Sequence, residues 1–457
     1  MNSFWTVEGL AQACGGRVRG HAGTPITGIT QDTRELKPGM AYLAIRGERL
    51  DGHAFVAQAF AAGAGCALVE EGAAVPQDAG PLVVVKSSVA ALQLLARAWR
   101  DELAKSGCAV IAICGSNGKT TTRHLLHQVL SACGLPGSQS PKSFNNHLGL
   151  PLTLLAAKTA DKFVAAEIGT NHPGEIASLA QIARPDIAVV TSIGEEHLEF
   201  FKDLAGVARE EAAVFSHMRP NGLAVLSAQA AAHTAPYERM TVGVERLVAV
   251  PTDVALPAEL PMPGAHGRSN AAIVAEVARH LGCTNEAIAR ALAQGQAAEG
   301  RWQKIQLGQG VTLIHDAYNA NPSSVNAGLD ELGGKPGAAG CWPCGTPKAG
   351  GAAPCMVVLG DMFELGEAGP AAHRAVAERV ANTPSLRPAV FIGAEYARQA
   401  AHLAGRAGIQ VHAGFTDGLP EQLALLAAPG DTVWLKGSRG MKLERLIPAL
   451  RARFPNG

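Results

Sequence analysis

The sequence has no excess of charge of either sign: 39 Lys and Arg stand against 39 Asp and Glu, a formal net charge of zero over 457 residues. That balance excludes an electrostatic footprint for nucleic acid or for an anionic membrane surface. No apolar run approaches the roughly 20 residues needed to cross a bilayer. The opening MNSFWTVEGL has neither the basic start nor the apolar stretch of a secretory signal. The expectation is a cytoplasmic monomer with no nucleic-acid and no membrane partner. A disulfide framework is missing too. The nine cysteines are scattered, and Cys66, Cys108, Cys114, Cys133 and Cys283 sit in apolar segments, as reduced buried thiols do. Cys341-Trp-Pro-Cys344 and Cys355 lie in or at the end of a Gly/Pro/Ala-rich stretch, with no second CxxC or nearby His pair to complete a ligand set. A surface loop is expected there, with metal or redox use the alternative. No internal repeat recurs at a fixed period.

What the chain does contain is length and alternation. At roughly 100–200 residues per domain, three domains are expected, here 1–85, 86–300 and 301–457. The first reads as a small α/β unit, with apolar runs at Ile26–Thr30, Met40–Ile45, Cys66–Val69 and Pro81–Val85, followed by a linking helix over 89–105. The second alternates helical spacing with the runs Val110–Cys114, Phe163–Ile168, Ile187–Ile193 and Leu223–Leu226. Nearly continuous apolar runs rich in β-branched residues suit buried parallel strands, so a doubly wound parallel sheet is expected. The third repeats the theme at Val311–Ile314, Met356–Leu359, Ala389–Ile392 and Thr432–Leu435, a Rossmann-like open sheet.

Residues 115–122 read GSNGKTTT, between the first run of the second unit and a helical pattern. The general phosphate-loop spacing GxxxxGK[ST] requires a glycine at 113, which is Ile113; a shorter loop, Gly115-x-x-Gly118-Lys119-Thr120, stands instead. Glycines let successive N–H groups turn toward one anion, and the next helix points its positive end there. Gly115, Ser116, Asn117, Gly118, Lys119, Thr120 and Thr121 are therefore expected to bind nucleotide phosphates, with Lys119 reaching the β/γ-phosphates and Thr120 binding Mg²⁺. Leu125, Leu126, Val129, Leu130 and Cys133 share the apolar face of that helix, and Gly134 with Pro136 ends it.

Open α/β sheets put ligands at the C-terminal ends of their strands. Glu167 ends one apolar run and Gly194-Glu-Glu-His197 follows another, a carboxylate and an imidazole suited to a divalent metal. Ser143-Phe-Asn145-Asn146-His-Leu-Gly149 is either a capped turn or a polar substrate clamp. Arg301 opens the third unit, and Asp316 ends a strand where it can hold a ribose or orient that arginine. Asn319 and Asn321 follow it, and Lys436-Gly-Ser438-Arg439 ends the last run.

Together these segments resemble the Mur ligases, the ATP-dependent amide-forming ligases of peptidoglycan synthesis, over nearly the whole chain. The resemblance explains the short loop. It implies Glu167 and His197 as magnesium ligands, Gly264-x-His266-x-x-x-Asn270 as the adenine-side segment with Asn270 on the base, and Arg301 and Asp316 as ATP contacts. Asp316-Ala-Tyr-Asn-Ala-Asn-Pro322, Leu359-Gly-Asp361-Met-Phe-Glu364-Leu-Gly366 and Lys436-Gly-Ser-Arg439 are similar to the members that join D-alanyl-D-alanine to UDP-N-acetylmuramoyl-tripeptide, whose third residue is lysine or diaminopimelate. Asp32-Thr33-Arg34, with Gly47-Glu-Arg-Leu-Asp51-Gly-His53, resembles their uridine-nucleotide domain. Asp32, Thr33, Arg34, Asn145, Asn146, Asn319 and Asn321 are thus expected on the substrates, and Lys119, His197 and Arg301 in catalysis. Two departures stand out. Glu211 occupies the place of a carbamylated lysine, either as a substitute metal carboxylate or as a solvated helix-face charge. Gly267 replaces an asparagine. The alternatives are another ligase of the superfamily, such as a folylpolyglutamate synthase, and a silent nucleotide-binding homologue.

Overall fold

A computed structural model describes residues 3–76, 80–194, 198–252, 256–333 and 355–456. Three sheets carry the chain. The first holds β1 (Arg17–Arg19), β2 (Ile29–Thr30), β3 (Ala41–Leu43), β4 (Cys66–Glu70) and β5 (Leu82–Val85) in the order β1-β5-β4-β3-β2, parallel except for β1 against β5. The second holds β6 (Ala109–Cys114), β7 (Gly137–Gln139), β8 (Phe163–Glu167), β9 (Ile187–Val190), β10 (Leu223–Ser227) and β11 (Glu245–Ala249) in the order β11-β10-β9-β6-β8-β7, all parallel. The third holds β12 (Gln303–Gln306), β13 (Thr312–Asp316), β14 (Cys355–Gly360), β15 (Ala389–Ile392), β16 (Ile409–His412) and β17 (Thr432–Lys436) in the order β12-β13-β17-β14-β15-β16, with only β12 antiparallel.

The α/β expectation is met for a physical reason. In β6, Val110, Ala112 and Cys114 enter one apolar core while Ile111 and Ile113 enter another on the opposite face. A strand buried on both sides must be apolar throughout. In the third sheet, Val357, Leu359 and Trp434 face one core and Met356, Val358 and Val433 the other.

The helix Ser88–Lys105, expected as a linker, is a shared wall. Trp99 packs against Phe4 and Trp5 of the first unit at ring distances of 4.9 and 5.0 Å, and its indole N–H donates to the Ala157 carbonyl of the second at 3.0 Å. The cores of the first two units are accordingly continuous. Among the described residues no helix is long and apolar enough to cross a membrane.

In the second sheet the chain crosses from β8 on one side of β6 to β9 on the other. That reversal opens a crevice at the C-terminal end of β6, where GSNGKTTT begins.

Candidate active site

Gly115 and Gly118 both take positive φ, +119° and +90°. A Cβ on Gly115 would lie 2.3 Å from Thr191 Oγ1, and one on Gly118 would lie 2.6 Å from Asn270 Oδ1, so neither position admits a side chain. Asn270, expected on the base, is thereby placed against the phosphate loop. Gly267 is also forced: a Cβ there would sit 2.0 Å from the Met262 carbonyl oxygen.

The loop amides correct one expectation. Gly115 N–H donates to Glu211 Oε2 at 2.8 Å, Ser116 N–H to the Ser192 carbonyl at 2.9 Å, and Asn117 N–H to Ser192 Oγ at 2.9 Å. These three amides tie the loop to the protein and do not converge on an anion. The Asn117 carbonyl accepts from Thr191 Oγ1 at 2.6 Å, and Ser116 Oγ accepts from Gly194 N–H at 2.8 Å. What faces the crevice is the open end of the helix Lys119–Ala132, whose first turn supplies amides without intrahelical acceptors and the positive end of the dipole. The Lys119 ammonium is folded back on the Gly115 and Ser116 carbonyls.

Within the first turn of that helix, Thr120 Oγ1 donates to Glu167 Oε2 at 3.0 Å. Glu167 is 2% exposed at the end of β8, and Asn145 Nδ2 donates to its Oε1 at 3.3 Å. Arg123 Nε lies 3.4 Å from Glu167 Oε2. Sequence reasoning missed Arg123, although its i+3 spacing from Thr120 puts both on one helix face. Burial depresses the Arg123 pKa, Glu167 acts the other way, and nearby Arg301 depresses it further. A hydroxyl and a carboxylate are hard oxygen donors, which fits a small divalent cation such as Mg²⁺. His197 lies outside the described residues, as do Cys341 and Cys344.

Glu211 is not a solvated charge. It is 2% exposed on the helix Leu204–Ala212, and its carboxylate holds the first glycine of the loop. Its neighbour Glu210 accepts from Gly174 and Ile176 N–H at 2.8 and 3.0 Å, capping the helix Glu175–Ala183.

The third unit meets the loop directly. Asn321 Nδ2 donates to Asn117 Oδ1 at 2.9 Å. The Arg301 guanidinium lies over the Tyr318 ring at 4.4 Å, and Arg439 over the same ring at 5.6 Å. Asp316 does not orient Arg301 by direct pairing. Its Oδ2 sits 3.0 Å from Lys436 Nζ, and its Oδ1 accepts from Trp302 N–H at 3.1 Å. Lys436 also donates to the Asn319 carbonyl at 3.0 Å. Burial pushes the Lys436 amine below the ordinary lysine value, with Asp316 acting against it. Asp316→Ala leaves this 3% exposed cation without its counter-charge. The expected cost is about 3 kcal/mol in urea unfolding; unchanged stability would mean that the Asn319 carbonyl alone suffices.

Other expected residues separate into two groups. Asn146 resolves as a cap: its Oδ1 accepts from Leu148 and Gly149 N–H at 3.1 and 2.9 Å, starting the helix Gly149–Ala156. Asn319 Oδ1 accepts from Ala320 N–H at 2.9 Å while the residue stays exposed. Asp361 is buried and caps the helix Ala394–Arg398 through Glu395 and Tyr396 N–H at 3.0 and 3.1 Å. Ser438 Oγ accepts from Phe363 N–H at 2.8 Å, so the two late motifs hold each other. Asp32 pairs with Arg34 through two oxygens, at 2.9 and 2.6 Å, which with the Arg34 N–H lowers its carboxyl to about 2. Thr33 stands between them, and Arg34 borders an open depression with Thr27, Lys37 and Met40. A cavity of about 440 Å³ opens between Leu260, Met262 and Pro263 and the third sheet's Lys304, Ile314 and Thr432. It adjoins the start of the helix Gly264–His280 that carries Asn270.

Comparison with known proteins fits this arrangement. Residues 25–100 match the Mur ligase family, catalytic domain; residues 113–250 match the Mur ligase middle domain; residues 300–439 match the Mur ligase, glutamate ligase domain. The chain is 32% identical to the UDP-N-acetylmuramoyl-tripeptide--D-alanyl-D-alanine ligase of Escherichia coli (strain K12), over 98% of each. A crystal structure of MurF from Acinetobacter baumannii aligns with a TM-score of 0.81 at 29% identity, covering 98% of this chain and 99% of that one. The MurF ligase of Thermotoga maritima, in complex with ADP, aligns with a TM-score of 0.73 at 25% identity, covering 93% and 97%.

Proposed function

The chain belongs to the Mur ligase family and is an ATP-dependent ligase joining D-alanyl-D-alanine to UDP-N-acetylmuramoyl-tripeptide in peptidoglycan precursor synthesis, and we propose that its phosphate loop, the Thr120–Glu167 pair and Arg301 carry that reaction through an acyl phosphate. The observation that carries this division of labour is the buried hydroxyl–carboxylate pair in the first turn of the helix that follows the loop.

A carboxylate does not react with an amine at neutral pH because its leaving group is poor. In the first step an oxygen of the tripeptide's terminal carboxylate bonds to the γ-phosphorus of ATP, the bond to the β,γ-bridging oxygen breaks, and ADP leaves. In the second, the D-alanyl-D-alanine amine nitrogen attacks the acyl carbon. Phosphate departs with the former carboxylate oxygen, and the amine gives up a proton. Such transfers ask mainly for positioning and charge stabilisation.

The helix end at Gly118 takes phosphate oxygens. Lys119 leaves the loop carbonyls for the β/γ-phosphates. Thr120 and Glu167 would hold a divalent cation, Mg²⁺ in our reading, with His197 a further ligand by family resemblance; such an ion would supply positive charge against the transferring group. Glu211 places a negative charge beneath the loop where the family has a carbamylated lysine. Arg301 approaches from the third unit, and closure keeps water from the acyl phosphate. The adenine end lies toward the cavity at Ile314, two residues before Asp316 on the same face of β13. The Asp32–Arg34 turn anchors the uridine nucleotide, Asn145 faces the tripeptide end, and the setting is cytoplasmic. Phosphate release measured with ATP, UDP-N-acetylmuramoyl-tripeptide and D-alanyl-D-alanine is expected only when all three are present. No release at all would favour a silent nucleotide binder, and release indifferent to both peptides would mean hydrolysis of ATP by water.

A further inference from the structure

Asn321 was expected on substrate, but its hydrogen bonds point inward. Its Oδ1 accepts from Ser324 N–H at 2.8 Å, and Ser324 Oγ accepts from Asn321 N–H at 3.1 Å. This reciprocal cap starts the helix Pro322–Gly333. Because Oδ1 is committed to the cap, the amide cannot turn around without losing it. Nδ2 is therefore fixed on its other partner, Asn117 Oδ1, 2.9 Å away and 204 residues earlier in the chain.

Asn117 is itself held. Its backbone is bonded on both sides to Thr191 and Ser192, and it sits between the two positive-φ glycines of the loop. Asn321 thus bonds a rigid part of the phosphate loop. On its own side it is two residues from Asn319, whose carbonyl takes Lys436; Lys436 pairs with Asp316; and Asp316 accepts from Trp302 N–H, the residue next to Arg301. Short backbone steps at 319–321 and 301–302, joined by these hydrogen bonds and the ion pair, connect the loop contact to the arginine.

We propose that Asn321 is a positioning residue: by bonding Asn117 it registers the third unit on the phosphate loop, so that Arg301 closes over the γ-phosphate. The proposal rests on the reading of this loop as the nucleotide site. It commits the asparagine to the docking of the two units and not to substrate contact.

Asn321→Ser separates this role from the cap. Serine caps helices as well as asparagine does but is too short to reach Asn117. The test is a double-mutant cycle of Asn321→Ser and Asn117→Ala on the full chain, read first as affinity for ATP with Mg²⁺ and then as kcat and KM for ATP. Asn321→Ser alone is expected to weaken ATP binding about fivefold, the effect of one hydrogen bond, and to raise KM more than it lowers kcat. Its thermal midpoint should match the parent. In the Asn117→Ala background the same substitution should cost nothing further. Equal losses in both backgrounds, or no loss in either, would overturn the proposal. A thermal midpoint that falls in step with affinity would overturn it too, by making Asn321 a cap alone. Because ATP affinity is read before turnover, a chain that binds ATP yet fails to ligate still yields the cycle, and the two readings fail separately.

Discussion

Lys119→Ala should abolish ligation, lowering kcat/KM by at least about 10³-fold, while the thermal unfolding midpoint moves by only a few degrees. The two effects separate because of what the ammonium touches. In the fold it makes local bonds to the Gly115 and Ser116 carbonyls, four and three residues away in the same loop. Those bonds are part-buried, and the loop has other anchors in Ser192, Thr191 and Glu211. In the proposed reaction the same cation is the flexible charge that follows the phosphoryl group. Its removal leaves the developing charge to the helix end and Arg301. Turnover near the parent level would remove the phosphate loop from the account.

Glu211 carries the second large effect. Its buried carboxylate accepts from Gly115 N–H, and no solvent replaces it there. Glu211→Ala leaves that N–H without its acceptor and deletes a charge beneath the loop. The expected loss in kcat/KM is about 10²-fold, with a modest fall in stability of about 1–3 kcal/mol for the orphaned amide. Glu211→Gln keeps an acceptor and removes only the charge. If the charge stands in for the carbamylated lysine, the glutamine variant keeps its stability but needs several-fold more Mg²⁺ for half-maximal rate. Unchanged Mg²⁺ dependence in both variants would reduce Glu211 to an anchor for Gly115.

What was legible in the sequence follows from burial. Central strands such as β6, β8, β14 and β17 are apolar on both faces and stand out as continuous runs. The elements that escaped notice are β1, β7, β11, β12 and β16, which lie at sheet edges. Gly-Ser-Gln in β7 and Gln-Lys-Ile-Gln in β12 need bury little, so no hydrophobic pattern marks them.

The site divides in a similar way. The placement of Thr120 and Glu167 is legible because each stands at a glycine turn or a strand end. The direction of the loop amides was not, since it depends on Ser192 and Glu211 arriving from distant segments. Arg123 looked like one more polar residue in a helix until β8 placed Glu167 beside it. Asn146 and Asp361 have the composition of binding residues and serve as helix caps.

The most direct measurement follows an atom. UDP-N-acetylmuramoyl-tripeptide labelled with ¹⁸O in its terminal carboxylate is turned over with ATP and D-alanyl-D-alanine, and the released phosphate is weighed by mass spectrometry. One ¹⁸O per phosphate is predicted, because the carboxylate oxygen crosses to phosphorus and leaves with it. Phosphate formed at the same rate without the label would mean that water, and not the acid, receives the phosphoryl group.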